Sequence, residues 1–181
     1  MVRFGHLFNA AIVKCFDIIL QLLGRIMIFT LVYVSDSNVS PFGDLACAEL
    51  QNIEKQAYFN NDLYDVRGFL FYYQNRFLQI LQGEFDSLIS IFAKIKDDPR
   101  HRDVRVVWFS SSDKHEFGKW SMLNSMNYAS HNFRKLTVEA STIARFVPAR
   151  GHLSPHSFRF LMDVATQTVD ELNASQEKLY G

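Results

Sequence analysis

Residues 66–84, VRGFLFYYQNRFLQILQGE, read as two strands joined by a two-residue turn. Aromatic and aliphatic residues crowd both halves, and Gln74-Asn75 separates them with side chains suited to a tight hairpin. Asn75 is a residue type that tolerates the left-handed conformation such a turn needs. One position inside the second strand does not fit an apolar reading. Gln79 stands among Phe77, Leu78, Ile80 and Leu81, and strand alternation places it on the same face as Phe77 and Leu81. A buried amide carries donors and acceptors that must be paired, so Gln79 is either bonded to the sheet or facing a polar ligand.

Working outward from the hairpin, MIFTLVYVS from Met27 is a β-branched and aromatic run that fits a buried strand, with Tyr33 as its polar exception. After Pro41, the residues Leu45, Ala48, Leu50, Ile53, Ala57 and Tyr58 recur at helical spacing, and Asn60-Asn61-Asp62 is a turn cluster expected to stop that helix. On the other side of the hairpin, Phe85, Leu88, Ile89, Phe92, Ala93 and Ile95 mark a second amphipathic helix ended by Asp97-Asp98-Pro99. VRVVWFSS is a further strand, and WSMLN is another. The order is strand, helix, strand, strand, helix, strand, strand. This predicts an α+β fold, a ferredoxin-like βαββαββ sheet with two helices on one face.

The ends of the chain read differently. Residues 1–26 are apolar, but Lys14 and Asp17 interrupt the middle of the run. A membrane span wants about 20 mostly apolar residues, and central charges oppose it. Leu7, Ala11, Phe16, Ile19, Leu23 and Ile26 instead fit one face of an amphipathic helix, packed on the domain or on another subunit. Residues 133–146 and 154–172 have helical periodicity, and the stripe Phe158, Leu161, Met162, Ala165, Val169, Leu172 suits a cap over the open face of the sheet. The expected division is a helical extension over 1–26, a domain over 27–128 and a helical cap over 129–181.

Composition narrows the function classes. Lysine plus arginine equal aspartate plus glutamate at 19 each, which gives no electrostatic reason to expect nucleic acid, and membrane attachment is disfavoured. The two cysteines have no metal or redox spacing and suggest a reducing, cytoplasmic setting. No nucleophile elbow, HExxH or phosphate-gripping glycine loop occurs, so an enzyme is not expected.

From MIFTLVYVS through NNDLYDVRGFLFYYQNRFLQILQGE and IKDDPRHRDVRV to FGKWSMLN, the chain resembles the BLUF family of flavin-based blue-light sensors, in its short form with a C-terminal helical cap. The resemblance implies noncovalent FAD between the two helices. It implies that Tyr33 and Gln79 form the photochemical switch and that Asn61 bonds the flavin's polar edge. Arg100 and His101 match its basic pair, Val66, Leu70 and Phe77 match positions lining the ring, and Trp120 and Met122 match its signal-relay strand, with Met122 near the flavin. Light would drive electron and proton transfer from Tyr33 through Gln79 and leave rearranged hydrogen bonds. These would be read by a downstream signalling protein, with the chain itself forming a homo-oligomer. Arg67 stands where the family has threonine, and Gln82 where it has a glutamate near the second helix. Those departures keep open a light-independent ferredoxin-like interaction module. A small hydrolase of the acylphosphatase kind has the thinner support of Asn61 with Arg67.

Overall fold

A computed structural model of the chain describes residues 27–39, 44–118, 120–124 and 151–180. The helix expected over 1–26, the start of the first helix at Pro41 and the helix expected over 133–146 lie outside these residues. The elements run β1 (Ile28–Ser37), α1 (Asp44–Leu63), β2 (Arg67–Tyr73), β3 (Arg76–Glu84), α2 (Phe85–Asp97), β4 (His101–Ser112), β5 (Trp120–Asn124) and α3 (Pro155–Tyr180).

The sheet order is β4-β1-β3-β2-β5. Each of the first four strands runs antiparallel to its neighbours among them, as a ferredoxin-like βαββαβ unit requires, and β5 adds to the β2 edge in parallel. The hairpin forms as the sequence predicts. Gln74 and Asn75 both take positive φ, 48° and 59°, the pattern of a type I′ turn whose twist matches its strands.

The first helix does not stop at Asn60-Asn61-Asp62 but continues to Leu63. It ends in a Schellman arrangement. Asp65 takes a positive φ of 46°, its N–H donates to the Asp62 carbonyl, and the Val66 N–H donates to the Asn61 carbonyl at 2.8 Å. The polar cluster therefore supplies the last helical turn, because those backbone bonds satisfy carbonyls that a helix end leaves open.

Alternation divides the sheet into two packed faces. Leu31, Tyr33, Leu70, Phe77 and Leu81 face α1 and α2, where they pack with Leu50, Ile53, Leu88 and Ile91. Val32, Val34, Phe69, Leu78 and Ile80 face the opposite way and meet Leu161, Met162, Ala165 and Val169 of α3. The stripe read from the C-terminal sequence covers the second face from Phe158 to Val169, and the Leu172 side chain lies outside the described residues. Gln82 belongs to this second side too, not to the side of α2. It is wholly buried, donates from Nε2 to Thr30 Oγ1 at 2.9 Å, and accepts the Glu116 N–H at 2.7 Å.

Candidate functional site

Tyr33 and Gln79 are direct partners across the antiparallel β1–β3 ladder. Two strand positions 46 residues apart in sequence therefore place a phenol and an amide side by side beneath the helices. The Tyr33 hydroxyl donates to Gln79 Oε1 at 2.6 Å, and both residues are buried. Burial, with the Asp98 charge adding to it, drives the Tyr33 phenol far above its usual range, so it stays a neutral donor. With Oε1 engaged by the phenol, the two Gln79 N–H bonds are left for other acceptors.

Both side chains line an open cleft between α1 and α2. Its apolar walls are Ile53, Ala57, Leu70, Ile91 and Ile95. Its polar groups are Tyr33, Gln79, Gln56, Asn60, Asn61 and, toward the C-terminus of α2, Lys94, Asp98, Arg100 and His101. Asn61 is the telling member. It sits in the last turn of α1, almost fully buried, and its Oδ1 has no hydrogen-bond partner in the protein. An unpaired buried acceptor costs about 1–3 kcal/mol, so its place on a cleft wall marks where a donor on a ligand would bind.

The basic end of the cleft is organised by Asp98. Its carboxylate accepts hydrogen bonds from the Arg100 guanidinium and backbone N–H, and Arg100 also donates to Gln56 Oε1 at 2.6 Å. Burial favours the protonated acid, but the hydrogen bonds and charge of Arg100 outweigh it and hold the Asp98 carboxyl below its ordinary value. His101 is bonded through Nδ1 to Ser35 Oγ at 2.8 Å, and its ring lies 4.5 Å from that of Phe77. Burial lowers its pKa to about 4, with Asp98 opposing and Arg100 reinforcing the shift, so the imidazole is neutral near pH 7.

The site residues expected from sequence are thus mostly gathered here. Tyr33, Asn61, Leu70, Gln79, Arg100 and His101 line one cleft. Phe77 lies behind the His101 ring. Val66 packs with Tyr33 in the core and lines a neighbouring surface cleft that shares Asn61. Trp120 and Met122 are placed by the β5 backbone, whose register sets Trp120 against Gly68 and Met122 against Leu70, while their side chains lie outside the described residues. Sequence reasoning missed Asp98, Gln56 and Ser35. Asp98 resembled a helix-end signal, and nothing local in the sequence pairs Gln56 or Ser35 with the basic residues 44 and 66 positions later.

Fold and site together define an α+β protein whose helix-flanked cleft suits a flat ring with apolar faces and a hydrogen-bonding edge. Residues 28–123 match the family BLUF, sensors of blue light using FAD, and the chain belongs to that family. Over 95 residues it is 32% identical to photoactivated adenylate cyclase subunit alpha of Euglena gracilis, a match covering 52% of this chain and 9% of that protein. The chain therefore spans only a small part of that relative's length. The solved structure of BlsA in its photo-activated state aligns with a TM-score of 0.59 at 28% identity, covering 77% of this chain and 95% of that one. The dark-state structure of the BLUF protein BlrB aligns with a TM-score of 0.63 at 18% identity, covering 80% and 98%, a likeness of fold alone.

The residues present fit FAD. The isoalloxazine edge carries an N–H donor beside carbonyl acceptors, which answers an orphaned Asn61 Oδ1 and the free N–H bonds of Gln79. Its faces would meet the aliphatic walls, and Lys94 offers a cation for phosphate, while Arg100 is already paired with Asp98.

Proposed function

We propose that this chain is a noncatalytic blue-light switch in which noncovalently bound FAD is held by Asn61 and the Tyr33–Gln79 pair converts light into a hydrogen-bond change. The carrying observation is the buried 2.6 Å bond from Tyr33 to Gln79 on the wall of the cleft that Asn61 also lines. A bound flavin absorbs blue light and becomes a strong oxidant when excited. Tyr33 is the adjacent oxidisable group, and its bond to Gln79 is already the path for a proton. When Tyr33 gives up an electron, its O–H becomes a strong acid, and the proton passes to Gln79 Oε1. The electron would go to the excited flavin, and the protonated amide would pass one proton on to it as well, from Nε2 to leave the imidic tautomer or from Oε1 after rotating; either change exchanges the donor and acceptor ends that Gln79 presents. Return of an electron and a proton to Tyr33 then leaves the phenol as it began and Gln79 rearranged. Leu70, Val66, Phe77 and the aliphatic helix residues exclude water, which strengthens each of these bonds.

Gln79 pairs with Leu70, and Leu70 pairs with Met122 on β5. This gives a backbone route by which a new Gln79 bond would bias the Trp120–Met122 strand and a surface read by a downstream signalling protein. We place the protein in the cytoplasm as a homo-oligomer that signals by contact. No helix among the described residues is long and apolar enough to cross a membrane. The test is an absorbance spectrum of the purified yellow protein before and after blue illumination. A small reversible red shift is expected. Tyr33→Phe and Gln79→Leu should each abolish it while FAD stays bound, and a normal photocycle in either variant would overturn that residue's role.

A further inference from the structure

A second glutamine of β3, Gln82, stands outside the flavin cleft. It lies three residues beyond Gln79, and alternation turns its side chain to the opposite face, in register with Thr30 of β1 and Arg67 of β2. A buried amide needs partners at both ends, and each end has one. Nε2 donates to Thr30 Oγ1 at 2.9 Å, and Oε1 accepts the backbone N–H of Glu116 at 2.7 Å. Glu116 belongs to the connection from β4 to β5, four residues before Trp120. The Gln82 amide therefore fastens the entry of β5 to the central strand of the sheet.

The neighbours of Glu116 show what this fastening holds. Phe117 is buried in the cluster that joins the sheet to Leu161, Met162 and Ala165 of α3. The start of α3 is tied to β4 independently: the Leu153 N–H donates to the Val107 carbonyl at 2.9 Å, and the Phe158 ring stacks on Trp108 with centroids 4.3 Å apart. Phe117 can therefore repack without detaching the helix. On the other side of Glu116, burial and the Arg67 charge hold the His115 imidazole below the ordinary histidine range, with Asp65 opposing. The His115 Nδ1 is buried with no hydrogen-bond partner among the described residues. That unpaired nitrogen is a standing cost of the loop's position, and the Gln82 bond is one of the contacts that offset it. A loop held by a strong local contact against such a cost is a two-state element.

We propose that Gln82 is a positioning residue whose bond to the Glu116 N–H latches the output strand: it holds the entry of β5 in the dark and opens when Gln79 rearranges, freeing Phe117 to repack against α3. The inference rests on the switch reading above. The path is short, since Gln79 pairs with Leu70, Leu70 pairs with Met122 of β5, and Glu116 lies at that strand's entry. The experiment is hydrogen exchange by mass spectrometry on the full FAD-loaded chain, in the dark and under continuous blue light, with a difference spectrum of each sample. In wild type, light should speed exchange in a peptide spanning 113–118 at least about fivefold, the factor one ordinary hydrogen bond is worth, and should also raise exchange in 158–169. Gln82→Met, which keeps the length but removes the acceptor, should exchange at 113–118 in the dark as fast as lit wild type. Light should add nothing further there, while the red shift keeps its amplitude. Wild type alone decides the case if that variant does not fold. A normal red shift with unchanged exchange at 113–118 overturns the latch and spares the switch. A rise at 113–118 with none in 158–169 overturns the route to α3, and a wild type without any red shift overturns latch and switch together.

Discussion

His101 shows how one side chain joins site and stability. Its ring is pressed between Phe77 and Ser35 and is held neutral, with a pKa of about 4, chiefly by burial. In the unfolded chain a histidine titrates near pH 6.5. Between these values the unfolded state takes up a proton that the native state refuses, so stability falls as pH drops from about 6.5 toward about 4. Urea midpoints measured from pH 7 to pH 4 should show this loss, and His101→Gln, which stays neutral, should flatten it. Asp98, whose carboxyl is held low, adds a loss in the same direction that the variant would retain. At this scale the sequence was partly legible. Tyr33 and Gln79 stood out because a polar group inside an apolar strand demands a partner. Asp98 did not, because its closeness to Tyr33 is made by tertiary packing, while its pairing with Arg100 two residues on reads as an ordinary local contact after a helix end.

The hairpin is the element on which the site's geometry rests, and Gly68 is its tightest point. Its φ is +146°, and a Cβ placed there would lie 2.0 Å from the Ile80 carbonyl oxygen. That contact is with backbone, so neither strand can yield without breaking the β2–β3 ladder that carries Leu70 opposite Gln79. Gly68→Ala should therefore destabilise the fold by at least about 2 kcal/mol. Gly118→Ala, where nothing lies within 4 Å of the added carbon, should change it by no more than about 0.5 kcal/mol. Chemical denaturation of the two variants side by side checks both values. The turn residues and strand alternation announced this hairpin in sequence because their causes are local. The end of α1 was misjudged by the same kind of reasoning. Asn60, Asn61 and Asp62 favour turns in isolation, but the backbone bonds from Asp65 and Val66 extend the helix through them. The extension places Asn61 on the cleft wall.

Across the whole molecule, the sheet separates two kinds of packing. One face is shared between core and cleft, and the other is closed by α3. The element order implied a ferredoxin-like sheet, and the C-terminal stripe implied a cap. Strand alternation from Gln79 and Leu81 already turns Gln82 toward the other side, but nothing in sequence reveals its partners, because Thr30 and residue 116 meet it across three segments. Leu161 is buried among Val32, Ile80 and their neighbours, on the face opposite Tyr33 and Gln79. Leu161→Ala should cost about 2–5 kcal/mol, the usual range for truncating a buried leucine. The folded fraction should keep both its FAD and the full amplitude of its light-induced shift, since no atom of the Tyr33–Gln79 bond is touched. FAD in excess should recover part of the lost thermal midpoint, because a ligand that binds only the native state stabilises it in proportion to the logarithm of its concentration. A loss of stability with an altered shift amplitude would instead mean that the capped face and the switch are mechanically coupled through the sheet. Melting curves and difference spectra on the same sample distinguish the two outcomes.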